Sequence, residues 1–155
     1  MSRFCTIVED IPGMPNGHCR EGLQALKREH RKVIHIDEYV ALTGSVDLDD
    51  ALREQCPEEP RWDYGIGFRR GNREKAVWLE VHPAGNAKDV QAVLRKAQWL
   101  DEKLNHVPRL RKMSRRPYCW VASGRSTITK STRASRLLAQ NAHLVKGPVN
   151  RLDLP

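Results

Sequence analysis

The stretch RWDYGIGFRRGNREKAVWLEVHPAG, residues 61–85, decides the expected fold. Its first half alternates large apolar side chains with Asp63, Gly65 and Gly67, and the alternation resumes from Ala76. A period of two is typical of β-strands, and the intervening RRGN segment supplies turn residues. The stretch therefore predicts an antiparallel hairpin whose strands carry one carboxylate each, Asp63 and Glu80, among apolar residues.

Spacing of apolar residues predicts the other elements. We expect an irregular lead-in over 1–18, helices over 19–32, 87–105 and 132–143, and strands over 33–36, 118–123 and within 144–155. Segment 43–55 reads as a capped helical turn with Ser45 or Asp47 as N-cap, and 108–117 as a basic connector. Asn86 is the expected cap of the longest helix. The order predicts an α/β fold of the α+β sandwich type, one domain over 1–155, with a central mixed β-sheet of four to five strands flanked by helices.

Composition narrows the class of protein. The 155 residues are 39% hydrophobic and 30% charged, and no run approaches the roughly 18 apolar residues of a membrane span. No apolar segment follows a basic start at the N-terminus, so we expect a cytoplasmic protein without membrane contact. The four cysteines form no C-x-x-C pair, which favours free thiols in that compartment.

Charge is distributed unevenly along the chain. Residues 1–60 hold 7 basic and 12 acidic side chains, whereas residues 106–155 hold 11 basic and 1 acidic. A one-signed field of this kind suits a polyanion, and nucleic acid is the expected partner. The candidate nucleic-acid-binding residues are Arg109, Arg111, Lys112, Arg115, Arg116, Arg125 and Lys130.

The two hairpin acids suggest a metal site. Glu80 and His82 are two apart on one strand and share a face at roughly 6.5–7 Å. If the hairpin turns at Gly71–Asn72, Asp63 can point to the same side, into a notch kept open by glycines. Neighbouring carboxylates repel unless a cation joins them. Mg²⁺ takes carboxylate oxygens, waters and substrate phosphate, so Mg²⁺ or Mn²⁺ is the expected cofactor.

With an Asp on one hairpin strand and a Glu on the next, this order of elements resembles the PD-(D/E)xK restriction-endonuclease-like superfamily. The resemblance covers residues 19–124 and implies a restriction-endonuclease-like core that hydrolyses phosphodiester bonds of DNA or RNA. It implies that Asp63 and Glu80 ligate the metal, joined by Glu21 from the first helix, with Glu29 as the fallback.

The lysine position of that motif is occupied by His82. A histidine can position water, donate to a phosphate oxygen or ligate Mn²⁺. Because some members of the superfamily take the lysine from the following helix, Lys88 is a second candidate, and Gln91 resembles a helix glutamine that some relatives use near the phosphate.

Two other functions fit the same sequence. A nuclease fold without turnover would bind nucleic acid through phosphate contacts and weaken with salt. A protein-interaction module would use the acidic first part and the basic last part for different partners, or for each other in a homodimer. Asp63 can also pair with Arg61 or Arg69, and Glu80 with an arginine across the strands.

Overall fold

The computed structural model describes residues 1–154. Within them the chain forms six helices and seven strands. In chain order these are α1 (Arg3–Val8), α2 (Arg28–Arg31), β1 (Ile34–Ile36), β2 (Val40–Asp47), α3 (Leu48–Ala51), β3 (Tyr64–Arg70), β4 (Arg73–His82), α4 (Ala87–Asn105), α5 (Pro108–Met113), β5 (Tyr118–Ala122), α6 (Arg133–Gln140), β6 (Val145–Val149) and β7 (Leu152–Leu154).

A mixed five-stranded sheet forms the centre, in the order β2-β3-β4-β5-β6. β2, β3 and β4 are antiparallel neighbours, whereas β4, β5 and β6 run parallel. Parallel strands need a crossover, which α4 and α6 provide. The predicted α+β sandwich with a central mixed sheet is confirmed.

Each face of the sheet has its own apolar cluster. The helical face carries Ala76 and Trp78 of β4, and they pack in one cluster with buried residues of α1, α4 and α5. The opposite face carries Val77 and Leu79, which pack with Leu26 and with Leu152 of β7. β7 pairs in parallel with β1 as a separate two-stranded sheet. Alternation along β4 thus decides which side chains meet the helices.

The hairpin and the long helix are as the sequence predicts. β3 and β4 pair from Tyr64↔Leu79 to Arg70↔Arg73, with Gly71 at φ 63° in the turn. α4 spans residues 87–105, and the Asn86 side chain accepts from the N–H groups of Lys88 and Asp89. Asp47 caps α3 by accepting from the Asp50 N–H. The predicted caps Asn86 and Asp47 are therefore confirmed.

The expected first helix over 19–32 is wrong. Only Arg28–Arg31 is helical, because Arg20 pairs with Ser45 through two backbone hydrogen bonds of 2.8 Å and draws this segment against β2. The Ser45 hydroxyl also accepts from the Ala25 N–H. The lead-in, in contrast, contains α1, whose Phe4 and Ile7 are fully buried on the helical face.

Three further expectations change. Residues 43–47, expected to begin a capped helical turn, belong to β2, and only Leu48–Ala51 of the segment 43–55 is helical. The expected basic connector 108–117 contains α5, with Leu110 and Met113 buried. Cys5 and Cys19 form a disulfide, so free thiols are limited to Cys56 and Cys119 among residues 1–154. In the same residues no helix has the length and apolar character needed to cross a membrane.

Candidate active site

Asp63 and Glu80 come together at one end of the hairpin, on the helical face. The Asp63 N–H donates to Glu80 Oε1 at 3.0 Å, and the Val81 N–H donates to Asp63 Oδ2 at 3.0 Å. These reciprocal bonds fix both carboxylates relative to the two backbones. Asp63 directly precedes β3, and Glu80 lies near the end of β4. The two acids are therefore on one side of the sheet, as predicted.

A lysine from α4 completes the group. Lys96 Nζ lies 2.5 Å from Glu80 Oε2 and 3.8 Å from Asp63 Oδ1. Its side chain is 22% exposed, Asp63 is 18% exposed and Glu80 is fully buried. We call Asp63, Glu80 and Lys96 the acid–lysine site. Solvent reaches it through Asp63 and Lys96.

Burial dominates the electrostatics of the carboxylates. Burial, followed by the charge of Asp63, raises the pKa of Glu80 to about 8, although Lys96 and the Asp63 N–H oppose the shift. Burial also raises the pKa of Asp63, against the opposing influence of Lys96. Two acids and one lysine leave a net charge of −1 when all are ionised, which a further cation would offset.

Burial also acts on Lys96, where it lowers the pKa. The charges of Glu80 and Asp63 outweigh that effect, so the pKa of Lys96 lies above its usual value. Lys96 therefore stays protonated at neutral pH. It can donate hydrogen bonds and supply positive charge, but it cannot accept a proton there.

The glycines of β3 have a packing role that the sequence did not predict. A Cβ on Gly65 would lie 2.4 Å from the Trp78 ring, and one on Gly67 would lie 2.5 Å from Phe4. The notch expected over Gly65 and Gly67 is therefore filled by Trp78 and Phe4. On this face of β3, the part of the notch that is open to solvent is the part beside Asp63.

The other predicted site residues lie apart from these contacts. His82 Nδ1 lies 2.9 Å from the Pro83 carbonyl oxygen, and the His82 ring meets Trp120 edge to face. Lys88 is exposed in the first turn of α4, eight residues before Lys96, and Gln91 is half-buried one turn later. Glu21 is exposed and is not part of a helix, because residues 19–27 are not helical. Among residues 1–154 no hydrogen bond or ion pair joins any of these four side chains to Asp63 or Glu80.

The predicted basic residues divide into separate groups. Arg111 and Arg116 contact Asp101 at 3.3 and 2.7 Å, so an internal carboxylate offsets part of their charge. Arg109 and Lys112 are exposed on α5, and Arg115 follows that helix. Arg125 and Lys130 belong to the loop 123–131, which lies against the end of β4: Ser123 N–H donates to the His82 carbonyl, and Thr127 N–H donates to the Ala84 carbonyl.

Asp63 and Glu80 are the side chains that could hold a hard divalent cation. Mg²⁺ in proteins takes one or two carboxylates and completes its shell with water and phosphate oxygens. In residues 1–154 no three His, Cys, Asp or Glu side chains converge as a metal cluster, so the protein would contribute the two carboxylates alone. Among residues 1–154, Asp63 Oδ1 is the one oxygen of the two carboxylates that accepts no hydrogen bond, and it lies 3.8 Å from Lys96 Nζ.

Lys96 is the residue that the sequence analysis missed. It lies three residues after Val93 and four before Leu100, both fully buried, so helical spacing places it beside the apolar stripe of α4. A lysine at that spacing is a signal for a buried acidic partner.

Comparison with models of protein families, with sequences of characterised proteins and with solved structures finds no match for this chain.

Proposed function

We propose that the protein is a divalent-metal-dependent hydrolase of phosphodiester bonds in nucleic acid, with the acid–lysine site as its centre. The observation that carries the proposal is the convergence of Asp63, just before β3, with Glu80 of β4 and Lys96 of α4. A fully buried glutamate whose pKa is raised to about 8 costs stability. Perturbed carboxylates of this kind concentrate at functional sites.

Asp63 and Glu80 would hold Mg²⁺ or Mn²⁺. The bound ion would neutralise phosphate charge and lower the pKa of water. Glu80 is held by the Asp63 N–H and by Lys96, so its orientation is fixed before a ligand binds. Asp63, the more exposed acid, faces the side from which a substrate can approach.

Lys96 would orient the attacking water and stabilise charge on the phosphoryl oxygens, because it stays protonated. This assignment replaces Lys88 and His82 as candidates for the lysine role. It agrees with the resemblance to the PD-(D/E)xK superfamily, in which some members take this lysine from the helix after the Glu strand. Here the residue lies about two helical turns beyond Lys88.

The loop 123–131 supports a nucleic-acid substrate. It lies against residues 82–85, at the end of the strand that carries Glu80. Arg125 and Lys130 are exposed on this loop and are accompanied by serine and threonine hydroxyls. Basic and hydroxyl side chains are common phosphate contacts in nucleic-acid complexes. Arg125 and Lys130 are therefore the best-placed of the predicted basic residues to hold a substrate near Asp63.

The test is cleavage of duplex DNA and of RNA with Mg²⁺ or Mn²⁺, by the parent protein and by variants. Asp63→Asn, Glu80→Gln and Lys96→Met should each lower cleavage by at least about 100-fold, the cost typical of removing one group that stabilises a transition state. Lys103→Met is the matched control: it removes a lysine of the same helix that is 19% exposed and lies 3.9 Å from Glu59. It should retain full activity.

Thermal unfolding of each variant separates loss of chemistry from loss of folding. Cleavage that persists in Asp63→Asn and Glu80→Gln would place the chemistry elsewhere. Nucleic-acid binding by the parent protein without cleavage under either metal would favour the alternative function, a binding module without turnover. One observation favours that alternative: Lys96 contacts Glu80 closely and so already neutralises one of the two acids.

A further inference from the structure

A groove crosses the face of the central sheet that lies away from the helices. It consists of two cavities, of about 650 and 330 Å³, that share Arg115 as a lining residue. The larger one runs between β5, β6 and β7, and the smaller one lies over the turn end of β3 and β4. We call the two cavities together the basic groove. The cations that line it are Arg70, Arg73, Lys75, Arg115, Arg116, Lys146 and Arg151.

The basic groove is separate from the acid–lysine site. Lys75 and Val77 share one side of β4, whereas Glu80 and Trp78 share the other. Lys75 is also five residues from Glu80 along the strand, or about 16 Å. A ligand in the groove therefore contacts neither Asp63 nor Glu80.

The charge of the groove is almost unopposed. Asp153 is the only acid among its lining residues, and it pairs with Arg151 at 3.1 Å. Arg116 pairs at 2.7 Å with Asp101, which does not line the groove, and among residues 1–154 the other five cations take part in no ion pair. Arg70 and Arg73 are directly opposed across β3 and β4. Like charges in that arrangement destabilise a sheet, so folding alone does not explain them.

We propose that the basic groove binds the phosphate backbone of double-stranded nucleic acid. Charge complementarity selects a polyanion, and the concave surface suits the convex backbone of a duplex better than it suits a flat bilayer. From β3 to β6 the groove spans three strand spacings, about 14 Å. At about 3.4 Å of helix axis per phosphate of one strand, a duplex of that length carries about four phosphates on each strand.

The groove residues also argue for a duplex over a single strand. Single-strand binding surfaces stack bases on exposed aromatic side chains. The only aromatic residue lining the two cavities is Phe68, which is 2% exposed. Contacts would therefore be made to phosphates, with little dependence on base sequence. The inference rests on the proposed function only for its choice of nucleic acid as the polyanion.

The test is the salt dependence of binding to a fluorescent DNA duplex in the presence of a metal chelator, so that no cleavage occurs. The variant combines Arg73→Gln, Lys75→Gln and Arg115→Gln. With about 0.9 counterions released per phosphate contact, the slope of log affinity against log salt should fall by about 2.7. Raising the salt from 50 to 200 mM should therefore weaken duplex binding by the variant about 40-fold less than it weakens binding by the parent protein.

The control combines Arg3→Gln, Arg28→Gln and Lys32→Gln, which removes the same charge from exposed positions outside the groove. It should keep a slope close to that of the parent protein. Equal slopes for the two triple variants would overturn the proposal, as would a parent protein that binds the single strand but not the duplex. Asp63→Asn separates the two proposals: it should lose cleavage and keep groove binding.

Discussion

Replacing Lys96 with methionine should make the stability of the protein fall more steeply with pH above pH 8 than that of the parent protein. Methionine has a similar length but no charge, so the change removes the ammonium 2.5 Å from the buried Glu80 carboxylate. Lys96 lowers the pKa of Glu80, whereas burial and Asp63 raise it. Without Lys96, the pKa of Glu80 should rise above its present value of about 8.

The magnitude follows from proton linkage. The ordinary pKa of this carboxyl is 4.5, so above that pH the unfolded chain has lost a proton that folded Glu80 keeps. The free energy of unfolding then falls by about 1.4 kcal/mol per pH unit until the folded pKa is reached. In the parent protein this fall ends near pH 8. In Lys96→Met it should continue above pH 8, so the variant should lose up to about 2.7 kcal/mol more than the parent between pH 8 and 10.

Urea unfolding followed by tryptophan fluorescence at each pH from 6 to 10 measures this difference. Lys103→Met is again the control, because its partner Glu59 is 45% exposed and the contact is 3.9 Å long. A long contact to an exposed carboxylate contributes about 0–1 kcal/mol, and its removal should give a constant offset above pH 6. If Lys96→Met and the parent protein differ by the same free energy at pH 8 and pH 10, Lys96 does not control the ionisation of Glu80, and the reasoning is refuted.

Three other predictions concern the same framework. Mn²⁺ affinity, measured by titration calorimetry, should rise by at most about tenfold per pH unit up to about pH 8 and then level off, because Glu80 must release a proton; an affinity independent of pH between 6 and 8 would count against Glu80 as a ligand. Gly65→Ala should lower the free energy of unfolding by about 1–3 kcal/mol in urea melts, since its Cβ would lie 2.4 Å from the Trp78 ring; unchanged stability would show that the ring can move aside. Reducing the bond between Cys5 and Cys19, 14 residues apart, should lower the unfolding free energy by about 3 kcal/mol, and a double serine variant should match the reduced protein and no longer respond to reductant.

Local patterns in the sequence were enough to predict the β3–β4 hairpin and helix α4, which form the centre of the fold. Alternation over residues 64–82 determines the hairpin, because successive side chains of a strand must face opposite sides. The apolar stripe of residues 87–105 and the cap Asn86 determine α4 in the same way. These elements predict an α+β sandwich, and they place Asp63 and Glu80 on one side of the sheet.

Tertiary contacts decided the rest. Residues 19–27 have helical spacing, but the backbone of Arg20 pairs with Ser45 and the Ser45 hydroxyl accepts from Ala25, so the segment follows the sheet instead. Short α1 is stable because Phe4 and Ile7 are buried against the sheet, a gain that local spacing cannot reveal. Lys96 reaches Glu80 only because α4 packs across the face that carries Glu80.

Spacing along the chain is therefore sufficient to identify the two carboxylates and the strands that hold them, since both depend on neighbours in the chain. The packing of α4 against the sheet selects the lysine that joins them and sets how far the site is buried. It also gathered Arg70, Lys146 and Arg151, which are distant in sequence, around one groove. The physical reason is that the pKa of a carboxyl and the charge of a surface depend on distances through space, whereas periodicity reports only spacing along the chain.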